Sequence, residues 1–272
     1  MLILPITDPD DPRISAYRDI RERDLVGRQG LFVAEGEVVL HHLARSPRVE
    51  PLSVLVAEKR LAGLADVLAP LPADVPVYAA SQQVMDTIVG FPIHRGILAL
   101  GHRRTEPSGA DLLASLPERA IVLGLHGIAN HDNMGAIFRN AAAFGADAVL
   151  LDATCCDPLY RKAIRVSVGA VLTTPFARLT AEEDMVELMR AHNVTPLALS
   201  PSGAVELAQL ARPARAGLLL GAEGPGLPDV ILERATAVSI PMAAGFDSLN
   251  VAVTAGIVLH HLAFAAKDET AS

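Results

Sequence analysis

The 272-residue chain contains no tryptophan, and aromatic residues make up only 4% of it. Its core must therefore be built from Leu, Val, Ile and Ala. Positive charge is also lacking: the formal charge is −8 and the pI is near 5.6. That excludes a protein that coats nucleic acid through a broad basic surface, so any such contact must be local. The two cysteines, Cys155 and Cys156, are adjacent and supply neither a disulfide framework nor a recognisable metal cluster. A reducing cytoplasmic compartment is expected. The opening MLILPITDPDD has no basic region before its short apolar start and does not read as a signal peptide. The longest apolar stretch, residues 248–266, carries Asn250, His260 and His261 and reads as a buried helix rather than a membrane span. Internal repeats and low-complexity segments are absent as well.

Hydrophobic residues make up 51% of the chain and charged residues 20%, enough for substantial cores. The length favours two modest domains over one large one. In the first part, RISAYRDIRERDLVGRQG reads as an arginine-studded amphipathic helix, and LFVAEGEVVLHHLARS as a strand entering a helix. PLSVLVAEK, VPVYAAS and HRGILALGHRR read as strands, with LAGLADVLAPL as a helix among them. The Pro-, Gly- and Ser-bearing stretch TEPSGADLLASLPERA marks a boundary, giving a first domain over 1–107, a linker over 108–118 and a second domain over 119–272.

From residue 120 the rhythm is regular. IVLGL, AVLL, VTPLALS, AGLLLG and AVSIP are apolar runs suited to buried parallel strands, separated by helical patterns at MGAIFRNAAAF, LYRKAIRVSVGA and EEDMVELMRAH. Strands alternating with helices imply a parallel α/β sheet. In such sheets ligands bind beyond the carboxyl ends of the strands, so chemistry is sought in the loops that follow them.

Three loops stand out. In HGIANHDNMGAIFRN, Asn133 sits at a plausible helix N-cap, and Gly135 lies one turn before Arg139, leaving that arginine a path toward the strand-end cleft. A capped helix with one solvated arginine explains the same residues about as well. In GLLLGAEGPGLPD, Gly221, Gly224 and Gly226 surround a lone carboxylate, Glu223, consistent with a tight turn or a ligand approaching the backbone. The loop has neither Walker A nor GxGxxG spacing. In AVSIPMAAGFDSLNVAV, Ser248 and Asn250 stand at the mouth of an apolar helix, where capping is their plainest role.

Taken in order, the N-x-G-x-x-x-R, G-x-E-G-x-G and I-P-M…S-L-N-V-A-V segments resemble the three motifs of the SpoU/TrmH family, within the SPOUT superfamily of RNA methyltransferases. The resemblance covers about residues 119–266, with Ala222 where the family pattern carries Asn or Ser. It implies a parallel α/β sheet tied into a C-terminal trefoil knot, S-adenosyl-L-methionine as cofactor, no metal, a homodimer, and methyl transfer to a ribose 2′-hydroxyl of transfer or ribosomal RNA. Matched by motif, Leu199, Ser200, Gly221, Glu223, Gly224, Ile240, Met242 and Leu249 are expected to line the cofactor pocket. Asn133, Arg139, Glu223, Ser248 and Asn250 match the catalytic or positioning residues. A guanidinium stays protonated at ordinary pH, so Arg139 is expected to contact phosphate and orient the hydroxyl rather than act as a base.

Residues 1–107 more weakly resemble a small ribosomal-protein-like RNA substrate-binding domain, on the Glu35-Gly36 pair. Residues 13–28 hold five arginines, Arg21 and Arg23 among them, against three acids, and 94–104 adds three more arginines. Arg161, Lys162 and Arg165 form a further cluster suited to RNA phosphates, although surface clusters are often merely solvated. Two other readings remain open: a nucleotide-binding α/β transferase using the glycine loop, and a catalytically inactive RNA-binding homologue.

Overall fold

Apolar runs bounded by turn-forming residues become strands, and in a computed structural model of the chain they assemble two sheets. The structure describes residues 2–18, 29–90, 92–243, 246 and 248–264. Contacts divide the chain into one unit of Met1–Thr105 with Asp157–Thr173, and another of Glu106–Cys156 with Thr174–Ser272.

The first unit contains β1 (Leu2–Ile6), β2 (Leu31–Glu35), α1 (Glu37–Arg45), β3 (Val49–Ala57), α2 (Ala65–Leu68), β4 (Pro76–Ala80), α3 (Gln82–Val89) and β5 (Ile97–Arg103). Its sheet has the order β1-β4-β3-β5-β2. The β1, β4 and β3 strands are parallel, while β5 runs antiparallel to both β3 and β2. Ile6, Ile14, Val33, Leu55, Met85 and Leu98 meet in its core. The Tyr17 hydroxyl is buried there at 2.7 Å from Ser53 Oγ, and burial pushes its pKa upward. The apolar start, Leu2–Ile6, is an edge strand paired in parallel with β4. Of the stretch expected as an arginine-studded helix, the described beginning is a 3-10 turn, Pro12–Tyr17, capped by the Asp11 side chain. Residues 19–28, with Arg21 and Arg23, lie outside the described residues.

The second unit opens with α4 (Gly109–Ala114), capped by Ser108 and burying Leu112 and Leu113. The stretch expected as a linker therefore contributes to a core, because its three leucines, Leu112, Leu113 and Leu116, join Leu150, Leu179 and Met189. The unit continues with β6 (Ala120–Leu125), α5 (His131–Ala143) and β7 (Ala148–Leu151). The chain then passes into the first unit for α6 (Arg161–Val166) and a 3-10 turn at Ala170–Leu172. It returns for β8 (Phe176–Arg178), α7 (Met185–Ala191), β9 (Thr195–Leu199), β10 (Val205–Glu206), β11 (Arg215–Leu220), α8 (Asp229–Leu232), β12 (Thr236–Ser239) and α9 (Val251–Phe264).

Contacts thus group 157–173, expected within 119–272, with the first unit, and polar side chains fasten the segment there. Arg161 Nη2 donates to Glu35 Oε2 at 2.8 Å, Arg103 pairs with Asp157, and Ser46 Oγ donates to the Leu172 carbonyl. In the second unit all seven strands are parallel, in the order β10-β12-β9-β11-β6-β7-β8. Every residue of β6 and β7 is buried, which explains why these strands read as unbroken apolar runs. Among the described residues no helix is long and apolar enough to cross a membrane.

Candidate active site

Parallel strands deliver their following loops to one edge of the sheet. In the second unit the loops after β9, β11 and β12 enclose a cavity of about 540 Å³. Ser200 and Pro201 form one side, and residues 221–227 another. Ile240, Met242 and residues 248–251 close it, with Thr254 one turn into α9. The glycine loop is folded tightly on itself: the Gly226 N–H donates to the Ala222 carbonyl at 3.0 Å. A Cβ on Gly221 would lie 2.2 Å from the Gly226 carbonyl carbon and 2.3 Å from the Leu227 nitrogen. Only glycine fits that position.

Asn133, expected at a helix cap, is instead inside the first turn. The cap is Asn130, whose Oδ1 accepts from the backbone N–H groups of Asp132 at 2.8 Å and Asn133 at 3.4 Å. Relieved of capping, the Asn133 side chain is 6% exposed and its Nδ2 donates to Glu223 Oε1 at 2.6 Å. Asn250 does cap α9: its Oδ1 accepts from Ala252 N at 2.9 Å and Val253 N at 3.3 Å. Its Nδ2 must then face the other way, and it donates to Asn133 Oδ1 and Glu223 Oε1, each at 3.0 Å. A backbone N–H can only donate and a carboxylate can only accept, so both amides have one allowed orientation. Three residues from three loops form a closed network that consumes Glu223 Oε1. Glu223 Oε2 has no hydrogen bond among the described residues.

The eight residues matched to the cofactor pocket, Leu199, Ser200, Gly221, Glu223, Gly224, Ile240, Met242 and Leu249, all line this one cavity, as do Ser248 and Asn250. Asn133 stands behind the wall, joined to it through Glu223. Arg139 does not reach the lining. It lies about 40° round the helix from buried Gly135 and falls on the exposed side of α5. The path expected from its spacing is therefore not taken within one chain. Arg161, Lys162 and Arg165 belong to the first unit. Arg161 is tied to Glu35, whereas Lys162 and Arg165 are exposed.

Other residues escaped the sequence reading. Thr254 lines the cavity, and its only signal was a hydroxyl four residues after Asn250 in an apolar helix. Asn140 Nδ2 donates to the Ala252 carbonyl at 2.7 Å, joining α5 to the first turn of α9. The loops after β6 and β7 are joined by Asp152, whose carboxylate accepts from Gly127 N at 3.1 Å, Thr154 N at 3.0 Å and Cys155 N at 2.9 Å, and meets His126 Nδ1 at 2.8 Å. Burial alone would raise its pKa, but these hydrogen bonds and the nearby imidazole outweigh it and hold the carboxyl below the ordinary range. Burial, reinforced by the Asp152 charge, pushes the Cys155 thiol up to about 12.

The chain is similar to known proteins. The chain is 39% identical over 264 residues to a tRNA/rRNA methyltransferase of Mycobacterium bovis described as uncharacterized, covering 94% of this chain and 90% of that one. It is 32% identical over 189 residues to the 23S rRNA (guanosine-2′-O-)-methyltransferase RlmB of Salmonella typhi, covering 68% of this chain and 77% of that one. An AdoMet-bound rRNA methyltransferase from Sinorhizobium meliloti has the same fold, with a TM-score of 0.78 at 24% identity over 96% of this chain and 97% of that one. The family model of the SpoU rRNA methylases matches residues 120–260, the stretch that supplies the cavity and all three loops of its polar network, and the chain belongs to that family.

Proposed function

We propose that this chain transfers a methyl group from S-adenosyl-L-methionine to a ribose 2′-hydroxyl of transfer or ribosomal RNA. The observation that carries the reading is the Asn133–Glu223–Asn250 network set into the wall of the cavity. The cavity suits the cofactor. Its volume of about 540 Å³ lies in the range of small-molecule sites. Leu199, Ile240, Met242 and Leu249 offer apolar walls for an adenine, and the tight turn at Gly221 brings backbone groups to the surface. When bound, the cofactor would supply an electrophilic methyl on a sulfonium, with a neutral thioether as leaving group, and the ribose hydroxyl would release its proton to water as the new O–C bond forms. The residues of this chain position and desolvate. Asn133 and Asn250 hold Glu223 by one oxygen, leaving Oε2 as an acceptor for a donor hydrogen of cofactor or ribose. Ser248 faces the same space. Arg139, permanently cationic, serves by contact with the RNA phosphate.

The finer organisation follows the family. The three segments converging on one cavity are those that its trefoil knot ties together. On α9, Val253, Ile257 and Phe264 are exposed apolar residues at near-helical spacing, which supports a homodimer through that face. The N-terminal unit, with Lys162 and Arg165, is assigned to RNA substrate binding, and the cytoplasm is the matching compartment. Membership of an RNA-methylase family leaves the nucleotide-binding transferase without an observation in its favour. The test is transfer of a labelled methyl from the cofactor to unmodified rRNA, followed by alkaline hydrolysis. Label retained in alkali-resistant dinucleotides is expected, because a 2′-O-methyl group blocks strand cleavage. Label released in mononucleotides, or none incorporated, overturns the assignment.

A further inference from the structure

Helix α9 is apolar almost throughout, and Thr254 is the only hydroxyl-bearing residue in it. Its backbone N–H donates to the Asn250 carbonyl at 2.9 Å, so the two residues stand one turn apart on the same helix face. A threonine in a helix ordinarily lends its hydroxyl to a carbonyl three or four residues earlier, as Thr87 does to Gln83 at 3.0 Å. Thr254 does not: among the described residues its Oγ1 has no hydrogen bond. The residue is half-buried and lines the cavity. An unpaired hydroxyl in such a place costs stability unless a ligand satisfies it.

Most other polar groups of the cavity wall are already engaged. Ser200 Oγ lies 3.0 Å from Ser202 Oγ, Asn250 uses both ends of its amide, and Glu223 Oε1 is taken up by the network. Glu223 Oε2 and the Thr254 hydroxyl remain, one charged and one neutral. Glu223 is joined to Asn250 at the start of α9, and Thr254 lies four residues further on, about 6 Å along the helix axis. S-adenosyl-L-methionine has the matching polarity. Its methionyl end carries an ammonium that suits a carboxylate, while its adenosine end is neutral and presents both donors and acceptors. A hydroxyl can give and receive a hydrogen bond, so it suits the adenosine end.

Resting on the proposed cofactor cavity, we propose that Thr254 is a cofactor-binding residue whose hydroxyl hydrogen-bonds the adenosine half of S-adenosyl-L-methionine. It thereby sets the direction of the ligand, with adenosine toward the second turn of α9 and the methionyl end toward Glu223. Leu220, Leu227 and Val251 line the same cavity and keep its wall apolar, which strengthens a hydrogen bond made there.

Thr254→Val keeps the shape of the side chain and deletes the hydroxyl, whereas Thr254→Ser keeps the hydroxyl. Each full-length variant is titrated calorimetrically with S-adenosylhomocysteine and with 5′-methylthioadenosine, which retains the adenosine and lacks the amino-acid end. Thr254→Val should weaken both ligands by the same factor, about tenfold, since it leaves a desolvated ligand group unpaired. Thr254→Ser should stay within about threefold on both. The Tm of ligand-free Thr254→Val should not fall, because the lost hydroxyl has no partner among the described residues. A lowered Tm would make the hydroxyl structural and overturn the inference, as would unchanged affinity for S-adenosylhomocysteine. Loss on S-adenosylhomocysteine alone would put the hydroxyl at the methionyl end and overturn it too. So would failure of the unaltered protein to bind 5′-methylthioadenosine at millimolar concentration, since the adenosine half would then not be the anchored end. Gly221→Ala reports on the cavity itself. If that variant binds S-adenosylhomocysteine normally, the cofactor lies elsewhere and the cavity assignment fails; loss there with none in Thr254→Val refutes the role of Thr254 alone.

Discussion

Replacing Gly221 with alanine tests whether the glycine loop is a cofactor cradle or merely a turn. The new Cβ would stand 2.2 Å from the Gly226 carbonyl carbon and 2.3 Å from the Leu227 nitrogen, both backbone atoms that no rotamer change can move. Ordinary contact needs about 3.4 Å or more, so residues 226–227 must retreat by roughly 1 Å. Overpacking of this kind costs about 1–3 kcal/mol, which predicts a fall in Tm of several degrees for a unit of this size. Gly226 and Leu227 line the cavity, so the same retreat reshapes its wall. S-adenosylhomocysteine affinity should therefore fall at least about 100-fold, a loss near 3 kcal/mol. Gly224→Ala is the control. Its φ is +90°, yet a Cβ there meets nothing within 4 Å, so the cost is backbone strain of about 1–2 kcal/mol without displacement of 226–227. Its effect on cofactor affinity should stay under about tenfold. Calorimetric titration with S-adenosylhomocysteine, alongside thermal unfolding, measures both terms. If Gly221→Ala binds within threefold of the unaltered protein, the loop is not the cradle. If the two variants lose affinity equally, steric displacement is the wrong explanation.

Two further outcomes are expected. Arg139→Ala should abolish methyl transfer to rRNA while leaving cofactor affinity and Tm unchanged, since the side chain is exposed and lies outside the cavity wall; retained turnover, or a lowered Tm, would make the arginine incidental or structural. Asp152 has a depressed folded-state pKa, so its contribution is fully present above the ordinary carboxylate value and is lost as pH falls through the lower folded value, below about pH 4; Asp152→Asn should flatten the decline in denaturant stability over that acid range, and an unchanged slope would show that the carboxylate is not a stabilising hub.

The parallel sheet was legible because buried strands leave unbroken apolar runs such as IVLGL and AVLL, and because each ran into a helical pattern. The cavity residues were legible for another reason: three polar or glycine-rich loops occur in one order that matches a family. What stayed hidden depended on three-dimensional partners. Leu2–Ile6 is a strand because β4 lies beside it, and nothing in five residues announces that. Residues 157–173 follow the β7 strand in sequence but are held by Glu35, Ser46 and Arg103, residues more than fifty positions away. Asn133 looked like a cap because Asn130, three residues earlier, competes for the same role, and either asparagine satisfies the pattern. Only the structure shows which one caps and which is left to hold Glu223.

The same distinction applies to positive charge in the first unit. Counting arginines treats each as available to a phosphate, yet ion pairing divides them. Arg13 and Arg18 are engaged by Asp11 and Asp10, Arg60 by Glu37, Arg103 by Asp157 and Arg161 by Glu35. A paired guanidinium must exchange its carboxylate for a phosphate, so it adds less to affinity than its charge implies. The Arg161–Glu35 pair is the least exposed of these, at 19% and 11% of the side chains, and breaking it would leave a mostly buried carboxylate behind. Arg161 is therefore better read as the fastening of α6 to β2. That fastening aligns the helix so that Lys162 and Arg165, one and four positions later, are exposed.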